Sequence, residues 1–166
     1  MLLAVLLAGE APASADATLI PNYTRIRADV AAAGQPSREG LEGLAQLGFR
    51  TVVSLRREEE DGPKDERAVV EGQGLRYVSV PVTAATLSKE DADAVAKVLE
   101  DSAAGPVLLH CSTANRVGGV WALIEAARGV PLEDAIAEGK KAGLKSGSMI
   151  EAVRRAAAEP KAEPPR

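Results

Sequence analysis

The chain has 166 residues, of which 20 are Lys or Arg and 24 are Asp or Glu, so its formal net charge is −4. This charge excludes the broad basic surface of a dedicated nucleic-acid binder, and the 46% hydrophobic content excludes a disordered chain. Cys111 is the one cysteine and His110 the one histidine, which excludes an intrachain disulfide and a Cys/His metal cage. We therefore expect one domain with an aliphatic core and with no metal or other cofactor.

The N-terminal segment has the pattern of an export signal. The apolar run MLLAVLLA covers residues 1–8, and a small-x-small sequence that ends at Ala15 follows it. The run is too short to span a bilayer, which takes about 20 apolar residues. The pattern predicts a signal peptide over residues 1–15 and a periplasmic or secreted protein, although no Lys or Arg precedes the run. Without this signal function, the protein would be cytoplasmic.

The rest of the chain alternates between strand and helix patterns. Short apolar runs bounded by turn residues predict strands at residues 51–55, 76–80 and 106–110. Capping residues and apolar periodicity predict helices at residues 37–47, 64–71, 88–102, 116–127, 131–142 and 146–158. Alternating strands and helices indicate an α/β domain over residues 21–158, with a small parallel sheet of about four strands flanked by helices. Residues 159–166, rich in proline and charge, predict a disordered tail.

One segment has the composition of a reactive site. The sequence HCSTANR, from His110 to Arg116, joins the third predicted strand to a helix. Open α/β sheets bind ligands at the carboxyl ends of their strands. Amide N–H groups at a helix N-terminus converge on anions and stabilise a thiolate, and an arginine adds a bidentate guanidinium. The pattern predicts an anion-binding loop with Cys111 as the nucleophile, and a buried, unreactive cysteine is the alternative.

The other residues of this loop are candidates for substrate binding or loop support. Ser112 and Thr113 supply hydroxyl donors, and Ala114 lies between them and the helix. Asn115 tolerates a left-handed backbone, which a tight loop without glycine needs. We expect His110 to orient the loop through a hydrogen bond to a backbone carbonyl.

The segment HCSTANRVG resembles the signature loop of cysteine-dependent phosphatases of the tyrosine and dual-specificity class. Upstream, AGQPSREGLEGLAQLGFRTVVSLR and LRYVSVPV are similar to the bacterial beta-lactamase-hydrolase-like phosphatase family. The resemblance covers about residues 22–127. It implies a dual-specificity-phosphatase fold, with Cys111 as the nucleophile that attacks a phosphate ester, Arg116 as the phosphate clamp, and a phosphocysteine intermediate.

Three departures from the phosphatase pattern predict weak or atypical activity. Four residues rather than five separate Cys111 from Arg116, and this spacing resembles the loop of rhodanese-type sulfurtransferases. Val117 replaces the usual Ser or Thr, and residues 82–87 (VTAATL) hold no carboxylate for general-acid catalysis. The acidic run after the first predicted strand offers a substitute acid, and Asp61 is the candidate among Glu58, Glu59, Glu60, Asp61 and Asp65. A solvated turn is the alternative interpretation of that run.

Three functions therefore stay open. The first is a phosphatase, the second is a rhodanese-like sulfurtransferase that forms a persulfide on Cys111, and the third is an inactive module that binds an anion or a partner. The two enzymatic functions predict a small anionic substrate, either a phosphate ester or a sulfur donor, and all three predict no nucleic acid and no membrane span. For Arg56 and Arg57, a solvated surface position is favoured over a role at the rim of the site. The sequence does not indicate an oligomeric state.

Overall fold

A computed structural model describes residues 9–160, so the apolar run at residues 1–8 and most of the predicted tail lie outside the described residues. The described chain contains a five-stranded sheet with the strand order β1-β2-β5-β3-β4. The strands are β1 (Thr24–Arg27), β2 (Val30–Ala33), β3 (Thr51–Ser54), β4 (Arg76–Ser79) and β5 (Val107–His110).

Four of these strands run parallel, and β1 pairs antiparallel with β2 at one edge. The prediction of a small parallel sheet is confirmed, as are the three predicted strands, which correspond to β3, β4 and β5. The strands β1 and β2 were not predicted. The sequence of β2, VAAA, is mostly alanine, and the sequence of β1, TRIR, carries two arginines at an open edge, so neither has a strong strand pattern.

Six helices surround the sheet at nearly the predicted positions. They are α1 (Arg38–Glu42), α2 (Glu66–Glu71), α3 (Lys89–Glu100), α4 (Asn115–Ala127), α5 (Leu132–Lys141) and α6 (Gly147–Ala158). Ser37, Ser88 and Ser146 cap α1, α3 and α6, each with its side-chain oxygen accepting from a backbone N–H group of the first turn. The helix predicted over residues 37–47 is shorter than expected, because α1 gives way to turns after residue 42.

The two faces of the sheet bury separate apolar clusters. Alternate strand residues face α3, α4, α5 and α6 on one side, and α1 and α2 on the other. The helix α4 lies in the centre of the larger cluster and packs closely against α5. A Cβ atom at Gly118 would lie 2.2 Å from the backbone nitrogen of Leu144 and 2.4 Å from the carbonyl oxygen of Gly139. Only a glycine permits this approach, which fixes the position of α4 and therefore of the loop before it.

Residues that precede the predicted cleavage site pack against the domain. Ala11 is buried, its N–H group donates to the carbonyl of Ala28, and the Tyr23 hydroxyl donates to the carbonyl of Pro12. Cleavage after Ala15 would remove these contacts. The signal peptide stays a prediction. No helix within residues 9–160 is both long and apolar enough to cross a membrane.

Candidate active site

The loop from Cys111 to Asn115 follows β5, and the connection that follows β2 holds it in place. The N–H group of Cys111 donates to the carbonyl of Ala33, and the N–H group of Gln35 donates to the carbonyl of Ser112. Thr113 forms an isolated bridge with Gly34, where a Cβ atom would lie only 3.0 Å from the Ser112 carbonyl oxygen. Because α4 begins at Asn115, its first N–H groups have no partner within the helix and are available to an anion.

The tight turn of this loop occurs at Ala114, which has a φ of 67°, and not at Asn115 as predicted. Asn115 instead has helical backbone as the first residue of α4. Its Oδ1 atom accepts from the N–H groups of Lys145 and Ser146, at 2.7 and 3.0 Å, and its Nδ2 atom donates to the Ser146 hydroxyl. The Asn115 side chain therefore ties the loop to the start of α6, and these bonds occupy its polar atoms.

The Cys111 side chain is 1% exposed and lies on the face of the sheet that α4 covers. The Arg116 guanidinium approaches it from the first turn of α4. The pKa of Arg116 lies above its ordinary value, chiefly because Arg116 donates to Glu60 and also because the Cys111 sulfur faces the guanidinium. The structure thus brings together the two residues that the sequence analysis assigned as nucleophile and anion clamp.

Arg116 is held by a set of acceptors that leaves it little freedom. Its Nη1 atom donates to the carbonyls of Leu55 and Val82, at 3.2 and 3.1 Å, and to Glu60 at 2.6 Å. Its Nη2 atom donates to Glu60 at 2.6 Å and to the Ser112 hydroxyl at 2.9 Å. The two carbonyls follow β3 and β4, so the guanidinium is bound where the ends of three neighbouring strands meet.

Glu60, which the sequence offered only as one of several possible acids, is the carboxylate that binds Arg116. It lies in the segment between β3 and α2, residues 56–65, which we call the charged loop. The hydrogen bond from Arg116 lowers the pKa of Glu60 to about 2. Burial opposes this shift, and the Arg57 N–H group and Ser112 make smaller contributions that lower the pKa. Glu60 is therefore a carboxylate that positions Arg116, and in this arrangement it has no proton to donate.

Asp61, the predicted substitute acid, directly follows Glu60 in the sequence, but its environment differs from that of Glu60. Asp61 is exposed, and its backbone carbonyl accepts from the Arg56 guanidinium. Its role as general acid stays a prediction. The acidic run was the only sequence signal for either residue, and composition alone does not indicate which carboxylate of a run turns inward.

His110 is completely buried and bonds a carboxylate, not the backbone carbonyl that was predicted. Its Nε2 atom lies 2.7 Å from Oε1 of Glu66, which belongs to α2, and the other carboxylate oxygen accepts from Gln35. Burial by itself would raise the pKa of Glu66, but hydrogen bonds from His110, Gln35 and Tyr77 hold it below its ordinary value. The imidazole that precedes Cys111 is thus fixed by an ionised side chain from another element.

Comparison with known proteins finds a matching family and a curated relative. Residues 16–151 match the model of a family described as a DSP-PTPase phosphatase fused to NAD+ kinase. A beta-lactamase hydrolase-like protein of Xylella fastidiosa is 29% identical over 133 residues, which are 77% of this chain and 31% of that protein. The chain therefore spans about a third of the length of this curated relative.

Solved structures of phosphatases have the same fold. One match is the crystal structure of a Neisseria meningitidis protein that is named a phosphatase only provisionally. Its TM-score is 0.68 and its identity 25%, and the match covers 86% of this chain and 99% of that chain. TpbA of Pseudomonas aeruginosa, crystallised as a Cys-to-Ser variant with pTyr, has a TM-score of 0.67 and 21% identity, covering 95% and 93%. Since the family model matches most of the sequence, the chain belongs to the family described as DSP-PTPase phosphatase fused to NAD+ kinase, in the cysteine-dependent phosphatase-like superfamily.

Proposed function

We propose that this protein hydrolyses phosphoric monoesters through a phosphocysteine intermediate on Cys111. The observation that carries the proposal is the Arg116 guanidinium, which the acceptors at the ends of β3 and β4 hold beside the Cys111 sulfur. A fixed guanidinium stabilises the charge that develops on a phosphoryl group and costs no reorganisation during the reaction. The phosphatase relatives support the same chemistry.

The reaction has two steps. The Cys111 thiolate attacks phosphorus, the ester P–O bond breaks, and its electron pair leaves on the alcohol oxygen, which takes a proton from water. Water then attacks the phosphocysteine, the S–P bond breaks, and inorganic phosphate and the thiolate are released. Arg116, whose Nη atoms donate to Glu60 in the unliganded chain, exchanges this partner for the non-bridging oxygens in both steps, and the free amides at the start of α4 bind them as well.

The proposed activity depends strongly on the leaving group. Residues 82–87 hold no carboxylate, and Glu60 is ionised, so neither supplies an acid for a poor leaving group, and Asp61 stays the candidate. A positioned acid contributes roughly 10²–10⁴-fold in rate. We therefore expect measurable hydrolysis of activated aryl phosphates and much slower hydrolysis of alkyl phosphates.

The test is hydrolysis of p-nitrophenyl phosphate by the purified chain. Cys111→Ser should lower kcat/KM by at least about 10³-fold, because the nucleophile is lost. Arg116→Lys should lower it by about 10²-fold, because a lysine cannot replace the bidentate fork. Arg128→Lys, just beyond the far end of α4, is the matched control and should retain the wild-type rate. Equal rates for wild type and Cys111→Ser would overturn the proposal.

The four-residue spacing between Cys111 and Arg116 keeps sulfur transfer as a second candidate. In that reaction the Cys111 thiolate attacks the outer sulfur of thiosulfate, the S–S bond breaks, sulfite leaves, and a persulfide forms. Mass spectrometry after thiosulfate treatment would show one added sulfur atom on Cys111 in wild type and none in Cys111→Ser. If neither activity is found, phosphate that raises the melting temperature of wild type but not of Arg116→Ala would identify an inactive anion-binding module.

We also propose, from the sequence of residues 1–15, that the protein is exported and acts in the periplasm or outside the cell. The measurement is N-terminal sequencing of the protein from periplasmic and cytoplasmic fractions. Export predicts a chain that begins at Asp16 in the periplasmic fraction. An intact N-terminus confined to the cytoplasmic fraction would refute it.

A further inference from the structure

A polar cleft lies beside the Cys111 loop, between the ends of β3 and β4, the charged loop and α2. Its volume is about 460 Å³, and four cationic side chains line it, Arg56, Arg57, Lys64 and Arg67. Neither Cys111 nor Arg116 lines this cleft, so the proposed reaction does not account for it.

Arg56 is a lining residue of this cleft with a buried donor atom that has no hydrogen-bond acceptor. Its side chain is only 7% exposed, yet its Nε atom is buried without a hydrogen-bond acceptor. The remaining guanidinium nitrogens lie against the Asp61 carbonyl and, at 3.7 Å, the Glu66 carboxylate. A buried donor without a partner is costly in free energy, and a bound anion would satisfy it.

Glu60 connects this cleft to the Cys111 loop. Its Oε2 atom accepts from Arg116 at 2.6 Å and lies 3.8 Å from the unpartnered Nε atom of Arg56. The guanidinium that clamps the first anion and the guanidinium in the cleft therefore approach the same carboxylate oxygen. A ligand held by Arg116 needs only a short link to reach Arg56.

The charges that face the cleft favour an anion. Glu58, Glu60 and Glu66 also line it, so the four cations exceed the carboxylates by one, and Arg116 from outside the cleft offsets the charge of Glu60 as well. Tyr77, another lining residue, hydrogen-bonds to Glu66, so its hydroxyl already has a partner in the wall of the cleft.

We propose that this cleft binds a second phosphate group of the substrate, so that the preferred substrates are bisphosphorylated small molecules. Arg56 contacts the second phosphate from the cleft wall, and Arg57, Lys64 and Arg67 surround its entrance. The inference rests on the proposed function for the identity of the first group, which is the phosphate at Cys111. The cleft corrects the interpretation of Arg56 as a solvated surface residue, because its side chain is buried.

The experiment measures binding, so that it does not depend on turnover. Isothermal titration of the full-length Cys111→Ser protein compares methylphosphonate with methylene-, ethane- and propane-bisphosphonate, all with EDTA present. At least one bisphosphonate should bind ten-fold or more tightly than methylphosphonate. Arg67→Gln, on the exposed side of the cleft, should reduce this preference at least five-fold. Arg76→Gln, at the opposite end of β4 and outside the cleft, makes the same charge change and should preserve it.

Each result has a defined meaning. Equal affinities for methylphosphonate and every bisphosphonate would overturn the inference. Equal losses in Arg67→Gln and Arg76→Gln would also overturn it, because the preference would then reflect net charge and not the cleft. A bisphosphonate preference in a protein without Cys111-dependent hydrolysis would support the cleft and refute the proposed function. Arg56→Gln is unsuitable as the sole variant, because its buried side chain also supports the charged loop.

Discussion

Replacing Glu60 by glutamine tests whether this carboxylate holds Arg116 in place. A pKa of about 2, against an ordinary value of 4.5, means that the folded protein stabilises the ionised form of Glu60. The shift corresponds to about 3 kcal/mol as an upper limit. Because the Glu60 side chain is 17% exposed, solvent screening reduces the expected loss of unfolding free energy to about 1–2 kcal/mol. Glu60→Gln should lower the free energy of unfolding in urea by this amount at pH 7.

The pH dependence gives the same test a sharper form. Because the pKa of Glu60 is lowered on folding, its contribution is present above the ordinary value of 4.5 and disappears as the pH falls towards 2. The difference between wild type and Glu60→Gln should therefore shrink over this range. Glu59→Gln, whose side chain is 66% exposed, removes the same charge and should cost less than about 0.5 kcal/mol. A difference that persists unchanged at low pH, or equal effects of the two substitutions, would refute the reasoning.

Three further predictions concern stability, each measured by urea unfolding. Gly118→Ala should cost about 2–4 kcal/mol because its Cβ would overlap backbone atoms, whereas Gly147→Ala, with open space around it, should change stability by less than about 0.5 kcal/mol. Glu66→Gln should cost about 1–3 kcal/mol through the weakened bond to buried His110, and the difference should shrink below pH 4.5 because the pKa of Glu66 is lowered. Removing residues 1–15 should cost about 1–2 kcal/mol, because Ala11 is buried and its N–H group donates to the carbonyl of Ala28. An unchanged urea midpoint in Gly118→Ala, in Glu66→Gln or in the shortened chain would contradict its prediction.

Much of the fold could be predicted because local pattern and tertiary structure agree. The apolar runs that became β3 and β5 are buried on both faces, and serine caps mark the starts of α1, α3 and α6. The strand β2 could not be predicted, because three alanines carry little strand preference of their own. Its conformation comes from pairing with β5, which lies more than 70 residues further along the chain.

The candidate site likewise contains residues that the sequence could locate and contacts that it could not predict. The positions of Cys111 and Arg116 follow from one contiguous motif after a strand, which sequence reasoning can locate. The contacts of Glu60 with Arg116 and of Glu66 with His110 join segments 56 and 44 residues apart, and both acids lie in charged sequence without a distinctive pattern. The packing of α2 and of the charged loop brings these pairs together, and no local sequence pattern predicts that packing.

The carbonyls that hold Arg116 lie 61 and 34 residues before it in the sequence. The Arg116 guanidinium can therefore take this orientation only after the sheet has assembled. An unfolded chain has no comparable site that could bind an oxyanion. The anion site that we propose at Arg116 therefore predicts, by mass action, that phosphate or sulfate in a refolding or storage buffer shifts the equilibrium towards the native chain. Stabilities of variants measured in phosphate and in a buffer without oxyanions will consequently differ, and only the latter report the protein alone.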